Sequence, residues 1–187
     1  GRKGEKLTLR NLALPVRAAD VRAADAGAAL GPWYVVVRCE AGADVEHRYV
    51  LRVETALPDQ GNFESEPNDD PAHASPLAEG TTSGYLPVGD GDYFRYQPHG
   101  PCQLDVAAVG PARVKVKVDI LNSNGSQTLA SANAAKPKQS ADIQGFACPA
   151  EPILIRLSQG KYDGNAGEPY TLTLTSRPAS PHPGNRD

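Results

Sequence analysis

Hydrophobic and polar residues alternate along much of this chain with a period of two, which is typical of β-strands. Turns rich in glycine, proline and asparagine separate the alternating runs. The predicted strands cover residues 6–12, 33–38, 48–54, 93–96, 102–106, 114–120, 153–157 and 170–175. In residues 114–120, lysines alternate with valines, which predicts an antiparallel strand with one buried and one wet face. Residues 16–30 are alanine-rich and could form a helix or a loop. The pattern predicts an all-β protein.

A sequence repeat divides the chain into two parts. Residues 31–56 match residues 151–176 in pattern, because each has a strand, a polar glycine-containing turn and a second strand that opens on tyrosine, Tyr49 or Tyr170. We therefore expect two copies of one β module. The expected organisation is a partial copy holding the C-terminal half of the module at 1–57, a linker at 58–63, a complete β-sandwich at 64–178 and a disordered proline-rich tail at 179–187.

Two acidic stretches indicate candidate chemistry. ESEPNDD at residues 64–70 is followed about twenty residues later by GDGDYF at residues 89–94. Carboxylate and amide oxygens are hard ligands, and calcium binds about six to eight of them. In an extended segment Glu64, Glu66 and Asn68 would point to one side, and clustered carboxylates repel one another unless a cation lies between them. The sequence thus predicts a structural calcium site. The alternative is two solvated acidic turns.

Composition narrows the functional classes. The 187 residues are 40% hydrophobic and 6% aromatic, with 18 glycines and 17 prolines, which favours short strands joined by turns. A net charge of −3 gives no electrostatic basis for binding nucleic acid. No apolar run approaches the roughly 18 residues of a membrane helix. Because the chain contains no methionine, we expect it to be a processed or excised fragment of a longer protein.

The three cysteines have no spacing typical of a zinc site. Cys102 and Cys148 fall within the same predicted module and could form a disulfide in an exported protein, which would leave Cys39 over. Three buried, reduced thiols are the alternative.

A family resemblance follows from the acidic motifs. ESEPNDDPAHASPL followed by GTTSGYLPVGDGDYFRYQPHG resembles the start of the bacterial pre-peptidase C-terminal (PPC) domain, where an E-x-E-x-N-D segment leads to G-x-(I/L) and then to a D-x-D-x-(F/Y) strand. The final hairpin, ending in Tyr-x-Leu-x-(L/V), fits as well. The resemblance covers residues 62–176 and, more weakly, 1–56. Such domains accompany secreted bacterial proteases and other exported proteins, and the collagen-binding domain of clostridial collagenases is similar to them.

The resemblance implies jelly-roll-like antiparallel β-sandwich modules with Ca²⁺ as the cofactor. The metal ligands that it implies are Glu64, Glu66, Asn68, Asp69, Asp90 and Asp92. Asp70 would point elsewhere and cap the following turn. The turn before Asp92 is one residue shorter than in the collagenase relatives. Tyr162 and Tyr170 are the tyrosines available in the late strands, and Tyr170 fits a packing role equally well, so collagen binding does not carry over.

No motif of a hydrolase, zinc protease or P-loop protein is present. The carboxylates could in principle hydrolyse glycosides, but that reaction needs a cleft with aromatic walls, so we expect no enzymatic activity. We expect a non-catalytic, calcium-stabilised accessory module of an exported bacterial protein, secreted or in the cell envelope. Its partners would be neighbouring domains of a longer parent protein, which it would space, stabilise or help to secrete. The alternative is a module that binds a polymer such as collagen, chitin or another polysaccharide.

Overall fold

The structure, a computed structural model, describes residues 35–37, 48–53, 63–160 and 163–179. The chain divides into two compact units, Leu14–Leu57 and a larger unit made of Gly1–Ala13 with Pro58–Asp187. In the smaller unit, the described residues lie in no strand and their valine, leucine and tyrosine side chains are exposed. The partial module at 1–57 therefore stays a prediction. The possible helix at 16–30, Cys39 and Tyr162 lie outside the described residues.

Nine strands run through the described part of the larger unit. They are β1 (Ser75–Pro76), β2 (Gly80–Leu86), β3 (Gly91–Tyr96), β4 (Cys102–Val109), β5 (Val116–Leu121), β6 (Thr128–Asn133), β7 (Ser140–Cys148), β8 (Ile153–Gln159) and β9 (Asn165–Pro178). The described residues contain no helix, and so none that is long and apolar enough to cross a membrane.

The strands form two sheets that pack as a sandwich. One sheet has the order β1-β3-β8-β5-β6 and the other the order β2-β9-β4-β7. All neighbouring strands are antiparallel except the short pair β1 and β3. Side chains from both sheets form one buried core. The prediction of an all-β antiparallel sandwich is confirmed.

The connections between strands correct one expectation. The final two strands, β8 and β9, were predicted to form a hairpin, but they lie in different sheets. Strand β8 pairs with β3 and β5, whereas β9 pairs with β2 and β4. Likewise β2 and β3 lie in different sheets although a short turn joins them. These connections cross between the sheets because the buried sides of all these strands face one shared core.

The outer face of the five-stranded sheet is less exposed to solvent than the lysine–valine alternation predicts. Asp119 of β5 is fully buried there, held by Arg156 Nη2 at 2.6 Å and by Lys117 Nζ at 2.9 Å. The Arg156 guanidinium also lies over the Tyr93 ring, 5.9 Å from its centroid. Burial alone would raise the pKa of Asp119. The hydrogen bonds to Arg156, Ser131 and Lys117 have the larger combined effect, so the pKa of Asp119 is lowered. The carboxylate is thus a charged member of a cross-strand network.

Candidate metal centre

The acidic segment, residues 64–70, runs from one sheet to the other. At its start, Glu64 N donates to Ser83 O of β2 at 2.9 Å. Further on, Tyr93 N of β3 donates to Asn68 O at 2.8 Å. Backbone hydrogen bonds therefore fix the segment to a strand of each sheet. Its alternate side chains turn inward, since Glu64 and Asn68 are buried and Glu66 is half-buried.

The second acidic stretch lies where β2 passes to β3. Asp90 N donates to Pro87 O at 3.2 Å, which closes a tight turn, and Gly89 has φ +85°, a left-handed conformation that glycine adopts readily. Strand β3 then alternates, with Asp92 and Phe94 both fully buried. Asp92 thus occupies a position that the strand period assigns to the core. A carboxylate there needs a partner to balance its charge.

Two groups of carboxylates result, and Glu66 belongs to both. In one, an oxygen from each of Glu64, Glu66 and Asp92 lies within 4.8 Å of the others. In the other, Glu66, Asp69 and Asp90 meet the same criterion. The first group is the more deeply buried. The structure therefore brings together all five carboxylates that the sequence predicted as metal ligands.

Asn68, the sixth predicted ligand, lies beside the first group. With its nitrogen toward the cluster, the side-chain amide donates to Asp92 Oδ1 at 3.2 Å and to Glu66 Oε2 at 3.1 Å. In the other orientation, the amide oxygen faces Asp92 Oδ1 and Glu66 Oε2. Three oxygens that point toward one another in this way can bind a shared cation, to which the amide is a neutral ligand. The position of Asn68 is thus compatible with the metal-free and the metal-bound protein.

Glu64 is oriented by groups that the sequence analysis did not identify. Its Oε1 accepts a hydrogen bond from Tyr85 N at 2.5 Å, and its Oε2 accepts one from the Tyr170 hydroxyl of β9. Tyr170 is fully buried, which settles its role as packing and hydrogen bonding rather than surface contact. Gly84 makes room for this contact, because a Cβ there would overlap Glu64 Oε2 and the Tyr170 hydroxyl.

Asp70 lies outside both groups, as expected. Its Oδ1 accepts hydrogen bonds from Ala72 N at 2.8 Å and His73 N at 3.0 Å, so it caps the turn that follows the acidic segment. The His73 side chain also contacts the carboxylate, and these bonds lower the pKa of Asp70. This acidic residue is satisfied by its own turn.

The pKa values of three carboxylates in the two groups are shifted upward. Burial, followed by the negative charge of Glu64, raises the pKa of Asp92 from 3.8 to about 10. Burial and the neighbouring Asp69 and Glu66 raise the pKa of Asp90 from 3.8 to about 7. The pKa of Glu66 is raised as well, chiefly by burial. Each shift reflects the cost of holding negative charge in a buried position beside other carboxylates.

The residues present fit a calcium ion. Asp90 Oδ2 and Asp92 Oδ2 are buried and have no hydrogen-bond partner within the described residues. All the candidate ligands are oxygens, which suits a hard cation such as Ca²⁺ better than zinc, for which nitrogen and sulfur ligands are usual. Calcium binds about six to eight oxygens, and five carboxylates with one amide can supply that number.

We predict that Gly84→Ala destabilises the protein by about 1–3 kcal/mol, because the new methyl group must displace Glu64 or Tyr170. Urea unfolding monitored by circular dichroism measures the loss. Gly100→Ala is the matched control, since a Cβ at Gly100 would meet nothing within 4 Å. Equal stability of the two variants would show that Gly84 is not needed for close packing.

We also predict that the calcium-free protein loses stability as the pH rises from about 5 to 8. The folded state retains protons on Asp90 and Asp92, whose pKa values are about 7 and about 10, whereas the unfolded chain releases them near 3.8. Stability from these groups is therefore present at low pH and is lost as the pH rises through about 7 and on toward 10.

Thermal unfolding in metal-stripped buffers would measure this trend. Asp90→Asn, which cannot ionise, should flatten the slope between pH 3.8 and about 7, the two pKa values of Asp90, relative to Asp70→Asn, a neutralisation outside both carboxylate groups. A melting temperature that rises with pH above about 5 in the wild-type protein would contradict the prediction.

Comparison with known proteins finds similarity among solved structures. No family model and no curated protein matches the chain. Among solved structures, it is similar to the pre-peptidase C-terminal domain of a collagenase from Bacillus anthracis, with 15% sequence identity and a TM-score of 0.47. The similarity covers 60% of this chain and 100% of that chain. This is the domain family that the sequence motifs resemble.

Proposed function

We propose that residues 64–178 form a calcium-stabilised, non-catalytic accessory β-sandwich of an exported bacterial protein. The observation that carries the proposal is the convergence of five carboxylates into two groups that share Glu66, with unpartnered buried oxygens on Asp90 and Asp92. The module would space, stabilise or help to secrete a neighbouring domain of a longer parent protein. Its site of action would be outside the cell or in the cell envelope.

A cation at this position would join the two sheets. Glu64 is hydrogen-bonded to residues of β2 and β9 in one sheet, whereas Asp92 belongs to β3 in the other. A bound ion would replace repulsion between these carboxylates by attraction of both to the metal. Because the unfolded chain lacks this arrangement, binding would add directly to the free energy of unfolding.

The coupling between calcium binding and stability gives a reason why the module would act outside the cell. Calcium sites of extracellular modules commonly have dissociation constants of about 10⁻⁴ to 10⁻³ M. Such a site would stay largely empty at low cytosolic calcium and would fill after export. The fold would then be strengthened in the compartment where the parent protein works, which is the use that we propose for the metal centre.

We predict that calcium raises the melting temperature by on the order of 10 °C when free calcium is about 100-fold above the dissociation constant. The measurement is thermal unfolding of the 187-residue chain in calcium and in excess EDTA, with titration calorimetry to give affinity and stoichiometry. Asp92→Asn and Glu66→Gln should remove most of the increase, because each deletes a charge from a carboxylate group.

Asp70→Asn serves as the matched control, since Asp70 belongs to the same acidic segment but caps its own turn. It should retain the full response to calcium. A calcium response absent from the wild-type protein, or equal in Asp92→Asn and Asp70→Asn, would overturn the proposed metal centre.

Polymer binding is the alternative function, and it would need exposed aromatic side chains. Among the described residues, one stacked aromatic pair could serve this purpose. Phe63 and Tyr85 stack with ring centroids 6.4 Å apart, and Phe63 is 37% exposed. We expect no retention of the protein on insoluble collagen, chitin or cellulose in co-sedimentation with calcium present. Retention that is lost in Phe63→Ala but kept in Leu129→Ala, another partly exposed apolar residue, would favour the polymer-binding module instead.

A further inference from the structure

Two cysteines stand directly opposite each other where strands β4 and β7 meet. Cys102 is the first residue of β4 and Cys148 is the last residue of β7, and they are paired in the antiparallel register. Both are buried, with 8% and 4% of their surface exposed, and the structure holds them as free thiols. This pair belongs to neither carboxylate group.

The register satisfies the geometric requirement for a disulfide. Directly opposed residues of antiparallel strands have Cα atoms about 4.5 or 5.5 Å apart, depending on the type of pair. Disulfides span Cα separations of about 4.4–6.8 Å. Either pair type falls within that range, so the register places the two cysteines at a separation that a disulfide can span. A bond could form here without a shift of the backbone.

We propose that Cys102 and Cys148 form a cross-strand disulfide that fixes the end of the edge strand β7 to β4. Strand β7 is the edge of its sheet and has only β4 as a neighbour within that sheet. A bulge interrupts the β4–β7 ladder between Leu104 and Val106, so only the Cys102, Gln103 and Leu104 pairs remain beyond it. The disulfide would covalently link the two strands at the end of this three-pair segment.

The chemistry requires an oxidant of the disulfide class, such as oxidised glutathione or a thiol–disulfide oxidoreductase. One cysteine thiolate attacks the oxidant's disulfide, forms a mixed disulfide and releases one thiol. The second cysteine thiolate then attacks the mixed disulfide and releases the other thiol. In balance, two protein thiols lose two protons and two electrons, and one oxidant disulfide becomes two thiols.

Burial determines when this reaction can occur. Desolvation, together with the adjacent Cys102 thiol, raises the pKa of Cys148 to about 12, so the folded protein presents almost no thiolate there. The folded strands also exclude an oxidant from both sulfurs. The bond therefore forms before the two strands close, during folding in an oxidising compartment, and the folded protein then shields it from reductants.

Peptide mapping tests the proposal directly. The reduced, unfolded 187-residue chain is refolded in a glutathione redox buffer, alkylated and digested with trypsin without reduction. The three cysteines fall in separate tryptic peptides, residues 39–48, 96–113 and 139–156. We expect peptide 96–113 linked to peptide 139–156, with Cys39 alkylated. Alkylation of all three cysteines, or a bridge from Cys39 to either partner, would overturn the proposal.

Thermal unfolding supplies a second readout. Protein refolded with the bond should melt about 10 °C above protein refolded in reductant, because the bond closes a long loop. Cys39→Ala should keep this difference, and Cys102→Ala with Cys148→Ala should abolish it. Identical melting of the oxidised and reduced wild-type protein would contradict a stabilising role. Running both arms with calcium and with EDTA separates failure of the disulfide from failure of the metal centre.

Discussion

Repulsion among carboxylates that the backbone holds together is the constraint on which this sandwich depends. Asp92 cannot turn away, because it lies on a core position of β3, where the backbone is paired with Leu157 of β8. Glu64 cannot withdraw easily either, since Tyr85 and Tyr170 hold both of its oxygens. The charges must therefore be neutralised where they stand, by protons or by a cation. Within the described residues, Asp90 Oδ2 and Asp92 Oδ2 are the buried oxygens of this cluster that have no hydrogen-bond partner.

Much of the fold and of the site could be predicted, because the relevant signals are local in sequence. Apolar alternation identified β3, β4, β5, β8 and the central part of β9, and the acidic motifs identified every carboxylate of the two groups. Strands β1, β2, β6 and β7 were missed, since β1 has only two residues and GTTSGYL, TLASAN and SADIQGFAC are rich in small or polar residues. All four lie at sheet edges, where many side chains are only partly buried and periodicity is weak.

Other features depend on contacts between distant parts of the chain. The Tyr170–Glu64 hydrogen bond joins residues 106 positions apart, and the need for glycine at position 84 arises only once both side chains are in place. The pattern shared by the two halves of the internal repeat did single out Tyr170, but as a packing residue. The assignment of β8 and β9 to different sheets likewise follows from pairing with β2, β3, β4 and β5, which no local pattern records.

The strand order also determines when this domain can fold. The last two strands, β8 and β9, each occupy an interior position of a sheet. Without them the remaining strands form only the pairs β1–β3, β5–β6 and β4–β7, with β2 alone, and isolated two-stranded pairs are marginally stable in water. A growing chain therefore has no stable sheet until residues 153–178 have been made. Synthesis of the chain and formation of the two sheets are thus separated in time, because both sheets wait for their last interior strand.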